Sequence, residues 1–151
     1  MISNHISDKE GVYSITALRR GIKNSPTRNQ KECMVIIAEE IFEPLRKWVG
    51  GPIRINSFFR SPDLNKAIGG STTSQHCKGQ AMDIDDTKCN KTNAEMYNWI
   101  KENLEFDQMI WEFGTDDNPD WVHISYVGKI SNRNRCLKAY KDNRVTKYKI
   151  I

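Results

Sequence analysis

Three side chains in the sequence are of types that together bind a metal ion. The chain has only three histidines, and two of them, His76 and His123, stand where a strand is expected to meet a loop. Asp83 follows His76, and Gly79 between them allows the chain to turn so that both side chains point to one place. If the strand of His123 lies beside that of Asp83, all three converge. Two imidazoles and one carboxylate suit zinc at a catalytic site, with a fourth position open to water.

Hydrolysis at such a site needs a general base, and two carboxylates are candidates. Asp120 precedes His123 by three positions, and residues three apart on a flat strand face opposite sides. Asp120 therefore reaches the site only from a loop or a bulge, which Pro119 favours. Glu112 shares a face with Ile110 and points to the site only if that face carries the ligands. The pattern favours Asp120 and leaves Glu112 open.

Arg60 lies where a strand is expected to give way to a helix. A guanidinium fixed there could bind a substrate carboxylate through two hydrogen bonds or stabilise the oxyanion formed when water attacks a carbonyl. The alternative is an ordinary surface ion pair.

The elements that must position these residues follow from apolar spacing and capping residues. We predict a capped helical turn at 14–18, a long helix over 29–48 with a kink or break at Pro44, and a short helix from Pro62 to about Ile68. Another helix is predicted after the capping residue Thr92. Alternation predicts strands at 53–57, 80–85, 108–113, 121–126 and 145–150. This order predicts an α+β fold with a mainly antiparallel sheet.

The 151 residues, 38% of them hydrophobic and 28% charged, are typical of one globular domain. We predict a single domain over 1–151, with a helical segment at about 1–50, a metal-binding core at about 51–127 and a basic segment at about 128–151. No apolar run is long enough to insert into a membrane, and the N-terminus lacks the pattern of a signal peptide. The expectation is synthesis in the cytoplasm with reduced cysteines.

The net charge of +4 comes largely from the basic residues between Arg133 and Lys149. Such a run is most often a solvated face, although it would also suit nucleic acid or an anionic cell wall. Only Tyr140 and Tyr148 are aromatic in this stretch, so nucleic-acid binding is not expected.

Several segments resemble the zinc D-alanyl-D-alanine carboxypeptidase family, peptidase family M15, which includes phage endolysins and the dipeptidases of vancomycin resistance. Residues 74–83 match its SxHxxGxAxD signature, and 120–123 resemble its second motif, an acidic residue three before the last histidine. Residues 57–65 resemble its arginine segment. One departure is Asp120, because many relatives have glutamate at that position.

The resemblance implies a fold of the hedgehog/DD-peptidase type, in which His76, Asp83 and His123 bind one zinc ion. It further implies Asp120 as general base, Arg60 on the scissile carbonyl or the substrate, and substrate contacts at Ser74 and Gln75. The expected substrate is a peptidoglycan stem peptide or cross-link, cut by carboxypeptidase or endopeptidase action.

The absence of an export signal favours a phage endolysin or a virion-associated lysin acting at the bacterial cell wall, either a monomer or a component of a phage particle. The alternative is a catalytically inactive, zinc-stabilised binding domain of the same fold, as the hedgehog signalling domain suggests.

Overall fold

A computed structural model describes residues 1–151, and the first third of the chain is helical. The helices are α1 (Asp8–Val12), α2 (Ile15–Arg20), α3 (Arg28–Ile37) and α4 (Glu43–Val49). Ser14 caps α2, as the sequence predicts, and Thr27, which the sequence places in a loop, forms a capping box with Gln30 at the start of α3. Helix α1, which also begins with a capping box, was not predicted, because it is only five residues long.

The predicted long helix is interrupted by a π-helical turn at Ala38–Phe42. Pro44 lies in the first turn of α4, just after this interruption. Proline has no backbone N–H to donate, so one hydrogen bond to the preceding turn is missing at Pro44. The helix is irregular just before Pro44, where a kink or break is predicted, but it continues through Pro44 to Val49.

The rest of the chain forms one six-stranded sheet with two further helices. Its elements are β1 (Arg54–Ser57), α5 (Pro62–Ala67), a 3₁₀ turn (Gln75–Lys78), β2 (Ala81–Asp85), α6 (Asn93–Asn103), β3 (Gln108–Glu112), β4 (Trp121–Ser125), β5 (Arg135–Asp142) and β6 (Val145–Ile150). The strand order is β1-β2-β4-β3-β5-β6, and β3 with β5 is the one parallel pair. The α+β fold with a mainly antiparallel sheet is confirmed.

Strand β5 was missed in the sequence, where its basic residues had suggested a solvated face. Cys136 and Leu137 are adjacent and both buried, one against each face of the sheet, and Ala139 is also buried. Both faces of this strand therefore carry apolar and basic side chains, and no clean alternation is visible. The basic segment is an ordered hairpin of β5 and β6.

The two faces of the sheet have different roles. Met82, Ile84, Val122 and Ile124 point to the main hydrophobic core, which they share with α3, α4 and α6. The opposite face carries a small apolar cluster of Ile110, Leu137 and Ala139 beside the polar residues Asp83 and His123. None of the helices combines the length and apolar character needed to cross a membrane.

Candidate metal centre

The strand register brings two of the predicted metal ligands side by side. Asp83 of β2 pairs directly with His123 of β4. Directly paired residues have Cβ atoms about 5 Å apart on the same face. The same cross-strand row continues through the sheet on both sides, to Ser57 of β1 and Ile110 of β3. This polar face is the face predicted from the alternation of β2 and β4.

His76 reaches the same place from the 3₁₀ turn that precedes β2. Ser74 caps this turn by accepting a hydrogen bond from the His76 N–H, and Gly79 ends it in a left-handed conformation at φ +71°. The ring of His76 is buried, with 1% of the residue exposed. Its Nδ1 lies 2.7 Å from the carbonyl oxygen of Phe58. A carbonyl only accepts, so Nδ1 carries the proton and Nε2 is left with a lone pair.

The ligand atoms are spaced as one metal ion requires. One ligand atom from each of His76, Asp83 and His123 lies within 4.8 Å of the others. Asp83 Oδ1 is 3.3 Å from His76 Nε2 and 2.9 Å from His123 Nδ1. Bonds of 2.0–2.2 Å in tetrahedral geometry place ligand atoms about 3.4 Å apart. The two imidazole rings lie at 65° to each other, with centroids 5.1 Å apart, so they approach from different directions.

The protonation of these groups also suits a cation. Burial lowers the pKa of His76 and favours its neutral form. Burial alone would raise the pKa of Asp83, but its contacts with the two histidines hold it well below its usual range, so its carboxyl group is ionised. A neutral Nε2 lone pair thus faces an ionised carboxylate oxygen. Two acceptors in this position repel each other unless a cation lies between them, so the donor set fits a divalent metal.

Arg60 is fixed beside this group rather than forming a surface ion pair. Its Nε donates to Ser57 Oγ at 3.1 Å and its Nη1 to Asn65 Oδ1 at 3.1 Å. The backbone N–H of Arg60 donates to the carbonyl of His76. Nη2 lies 3.7 Å from Asp83 Oδ2, on the side of that carboxylate away from the histidines. The side chain is only 13% exposed, so its direction is set by these partners.

Glu112 lies on the same face of the sheet as the ligands. It follows Ile110 by two residues on β3, and Ile110 pairs with His123. The condition for Glu112 to point to the site is therefore met. Such diagonal neighbours are about 7–8 Å apart, within reach through one water. Burial raises the pKa of Glu112 to about 7, against smaller opposing effects of His123 and Arg60.

Asp120 lies just outside β4, at the end of the loop from β3, and its side chain is exposed. Its backbone is held at both sides, because its N–H donates to the Glu112 carbonyl and its own carbonyl accepts from Asn93 Nδ2. It is absent from the residues that line the cavity over the ligands, whereas Glu112 and Trp121 are present. The structure brings Glu112, and not Asp120, into the ligand-bearing cavity.

Comparison with known families agrees with this geometry. A family model described as Peptidase M15 matches residues 4–125. The chain belongs to the Peptidase M15 family. A search of curated proteins finds no match to the chain. Membership of this family makes the chain a peptidase by descent. M15 peptidases are metallopeptidases, and the group of His76, Asp83 and His123 is where this chain could bind a metal.

Ser74, a fixed residue of the M15 signature, and Gln75, at the variable position after it, both line the cavity. Gln75 Nε2 donates to Asp107 Oδ2 at 2.9 Å. Asp107 is buried and accepts two further side-chain hydrogen bonds, at 2.9 Å each, from the guanidinium of Arg133. The sequence did not reveal this network, because its three residues are far apart in the chain and match no motif. It ties the turn that carries His76 to the start of β5.

The cavity over the M15 site has a volume of about 880 Å³ and is open to solvent on one side. Its walls come from three regions: the loop before the 3₁₀ turn, strands β3 and β4, and the hairpin of β5 and β6. The hairpin follows residue 125, where the family match ends. The third wall is thus a part of this chain that the family model does not describe.

Proposed function

We propose that the protein is a zinc-dependent peptidase that hydrolyses peptide bonds in peptidoglycan stem peptides or cross-links. The observation that carries the proposal is the placement of Glu112. A buried carboxylate with a raised pKa lies diagonally beside His123, on the face where three ligand atoms converge. A metal site that only stabilised the fold would not need a buried carboxylate beside it that faces an open cavity.

A zinc ion held by His76, Asp83 and His123 would supply Lewis-acid chemistry and make water acidic enough to attack near neutral pH. The three side chains leave one side of the proposed zinc site open to the cavity. Catalytic zinc sites keep such an open position, whereas structural zinc sites do not. The hydrogen bond from His76 Nδ1 to Phe58 orients the ring and fixes its tautomer.

Glu112 is the proposed general base in place of Asp120. It takes the proton from the attacking water and passes it to the amine that leaves when the peptide bond breaks. Burial favours a higher pKa for Glu112 than for an ordinary carboxyl group, so the group accepts a proton more readily and is still acidic enough to return it.

Arg60 is the proposed group that binds the carbonyl oxygen or a carboxylate of the substrate. Ser57 and Asn65 hold two of its nitrogens, and Nη2 remains beside the ligand group. A guanidinium fixed in this way stabilises negative charge on the attacked oxygen without having to reorganise. Ser74 and Gln75 complete the proposed substrate contacts from the opposite wall.

The experiment incubates purified protein with defined muropeptides, with and without a chelator, and identifies the products by mass spectrometry. We expect hydrolysis that the chelator abolishes and that added zinc restores. The mass of the products distinguishes removal of a terminal D-alanine from cleavage of a cross-link. Zinc binding without any hydrolysis would support the alternative, an inactive zinc-stabilised binding domain.

The resemblance to phage endolysins supports a role in lysis of the bacterial wall. A second measurement adds the protein from outside to cells with exposed walls and follows turbidity. Loss of turbidity that stops with chelator is expected of a lysin, whereas a wall-trimming carboxypeptidase would release D-alanine without lysis.

A further inference from the structure

The hairpin of β5 and β6 forms a basic wall of the cavity. We infer that this wall binds a carboxylate of the peptide substrate, a few residues from the scissile bond, so that the enzyme prefers acidic peptides to their amidated counterparts. This inference rests on the proposed peptidase function and assigns its substrate class. Lys141 and Arg135 are the residues that carry it.

The sheet register turns these side chains toward the ligand face. Glu112 pairs with Ala139, and Gln108 pairs with Arg135, in the parallel ladder of β3 and β5. Because side chains alternate along a strand, Arg135, Ala139 and Lys141 share the face that carries Glu112. Arg135 and Lys141 line the same cavity as the metal ligands.

The lysines on the other face of the hairpin already have partners. Lys138 forms an ion pair with Asp116, and Lys147 forms one with Asp142. Lys149 lies over the ring of Tyr140, 5.9 Å from its centroid. In contrast, neither Arg135 nor Lys141 has a carboxylate oxygen within 4.0 Å of its charged nitrogen atoms, so neither forms an ion pair. Arg135 and Lys141 therefore face the cavity without an acidic partner of their own.

Lys141 is also held in position. Its Nζ donates to Thr146 Oγ1 at 2.6 Å and lies 5.2 Å from the centre of the Phe113 ring. An ammonium fixed by a hydroxyl and an aromatic face loses little side-chain freedom when an anion binds. Two of its three donor positions are still free.

The charge balance of the cavity favours anions. Its lining contains five basic residues, Arg60, Lys78, Arg133, Arg135 and Lys141, against two acidic ones, Asp83 and Glu112. Asp83 is engaged by the two histidines and Arg60, and Arg133 is neutralised by Asp107. A bound divalent metal would make the cavity more positive. Lys78, Arg135 and Lys141 are left to attract a substrate carboxylate.

The distance from the ligands sets where that carboxylate lies. β5 is two strands from β4, which is about 10 Å across the sheet. Arg135 and Lys141 lie on opposite sides of the row of His123, two and four residues along the strand, so their Cα atoms are about 12 and 17 Å from that of His123. An extended peptide advances about 3.3 Å per residue. A carboxylate bound by one of these side chains is therefore at most about four or five residues from the bond that is cut.

The experiment uses two synthetic peptides that differ only in one side chain, a carboxylate or its carboxamide, placed in this range. We expect wild-type protein to cleave the acid with a kcat/KM about tenfold higher, mainly through a lower KM, which corresponds to one charge-assisted contact. Arg135→Gln with Lys141→Gln should abolish the preference without lowering kcat. The matched control Lys138→Gln, on the other face, should leave it unchanged.

Equal cleavage of both peptides by the wild type, or an undiminished preference in the double variant, would overturn the inference. A binding measurement separates failure of this inference from failure of the proposed function. Calorimetry measures the binding of both peptides to zinc-loaded Glu112→Gln protein. Tighter binding of the acid that the double substitution removes supports the basic wall even if neither peptide is cleaved. Equal binding in that case contradicts it.

Discussion

Glu112 lies diagonally across the β3–β4 pair from His123, because Ile110, two residues before it, is the direct partner of that histidine. Asp83 is the partner of His123 on the other side. A carboxylate of the candidate metal site and the carboxylate of the proposed general base thus flank one histidine. This relationship supports the proposed division of roles between Asp83 and Glu112.

Replacing Glu112 by glutamine should remove catalysis and leave metal binding intact. Loss of a general base typically lowers kcat about 10²- to 10⁴-fold. Steady-state hydrolysis of a stem peptide gives kcat, and zinc binding by competition with a chelator checks the site. Asp120→Asn is the matched control and should retain kcat within about threefold. The opposite pattern, with Asp120→Asn inactive and Glu112→Gln active, would return the base to Asp120.

The rate should fall on the acidic side of neutrality, because Glu112 must be ionised to accept a proton. Burial raises its pKa from 4.5 to about 7 in the metal-free protein. A bound dication favours the ionised form and moves the pKa down again. We expect an acidic limb in the profile of kcat/KM between pH 4.5 and 7, measured on the zinc-loaded enzyme. A profile without an acidic limb above pH 4.5 would argue against Glu112.

The same group should affect the stability of the metal-free protein. Its folded pKa is raised, so its contribution to stability is present below pH 4.5 and is lost as the pH rises through about 7. Glutamine resembles the neutral form and does not lose this contribution. Metal-free Glu112→Gln should therefore be more stable than wild type by roughly 3 kcal/mol at about pH 8 and by less than about 1 kcal/mol at about pH 5. Urea unfolding at both pH values measures the difference.

Gly79→Ala should disturb the turn that carries His76. The residue has φ +71°, and an added Cβ would collide with the backbone carbonyl of Gln30 on α3. The substitution should cost about 2 kcal/mol or more in the free energy of unfolding and weaken zinc binding. Gly21→Ala is the control, with φ +62° and nothing within 4 Å of the added Cβ. It should cost only about 1 kcal/mol and leave zinc affinity unchanged.

Asp107→Asn should weaken the hydrogen bonds that connect the turn of His76 to Arg133. Asp107 joins Gln75 to Arg133, and the hydrogen bonds of Arg133 hold the pKa of its carboxyl below the usual range. Loss of the charge from a buried acceptor should lower stability at neutral pH by about 1–3 kcal/mol. Asp142→Asn, which breaks the exposed pair with Lys147, should change stability by less than about 0.5 kcal/mol. Thermal unfolding of both variants tests the contrast.

The parts of the site that follow from local sequence were predictable. His76, Asp83 and His123 belong to two short motifs, and Asp83 and His123 also have the same phase on their strands. Ser14 and Thr92 mark helix starts through hydrogen bonds to residues three positions away. Alternation alone placed His123 and Asp83 on the polar face of the sheet. No tertiary information was needed for these features.

The remaining parts depend on which strands become neighbours. The choice between Glu112 and Asp120 required the register of β3 against β4, which alternation within each strand does not supply. Strand β5 is stabilised by pairing with β3 and β6 and lacks a clear apolar period of its own. The network of Gln75, Asp107 and Arg133 joins segments that meet only in the folded chain.

The most direct test of the central claim is the hydrolysis rate of metal-stripped protein as zinc is returned to it. If His76, Asp83 and His123 hold the catalytic metal, peptide hydrolysis should be absent without zinc and rise to a plateau at one zinc per chain. His123→Ala should show no such rise. Hydrolysis that persists in the stripped protein, or a chain that binds one zinc and cleaves no peptide, would contradict the proposed zinc peptidase.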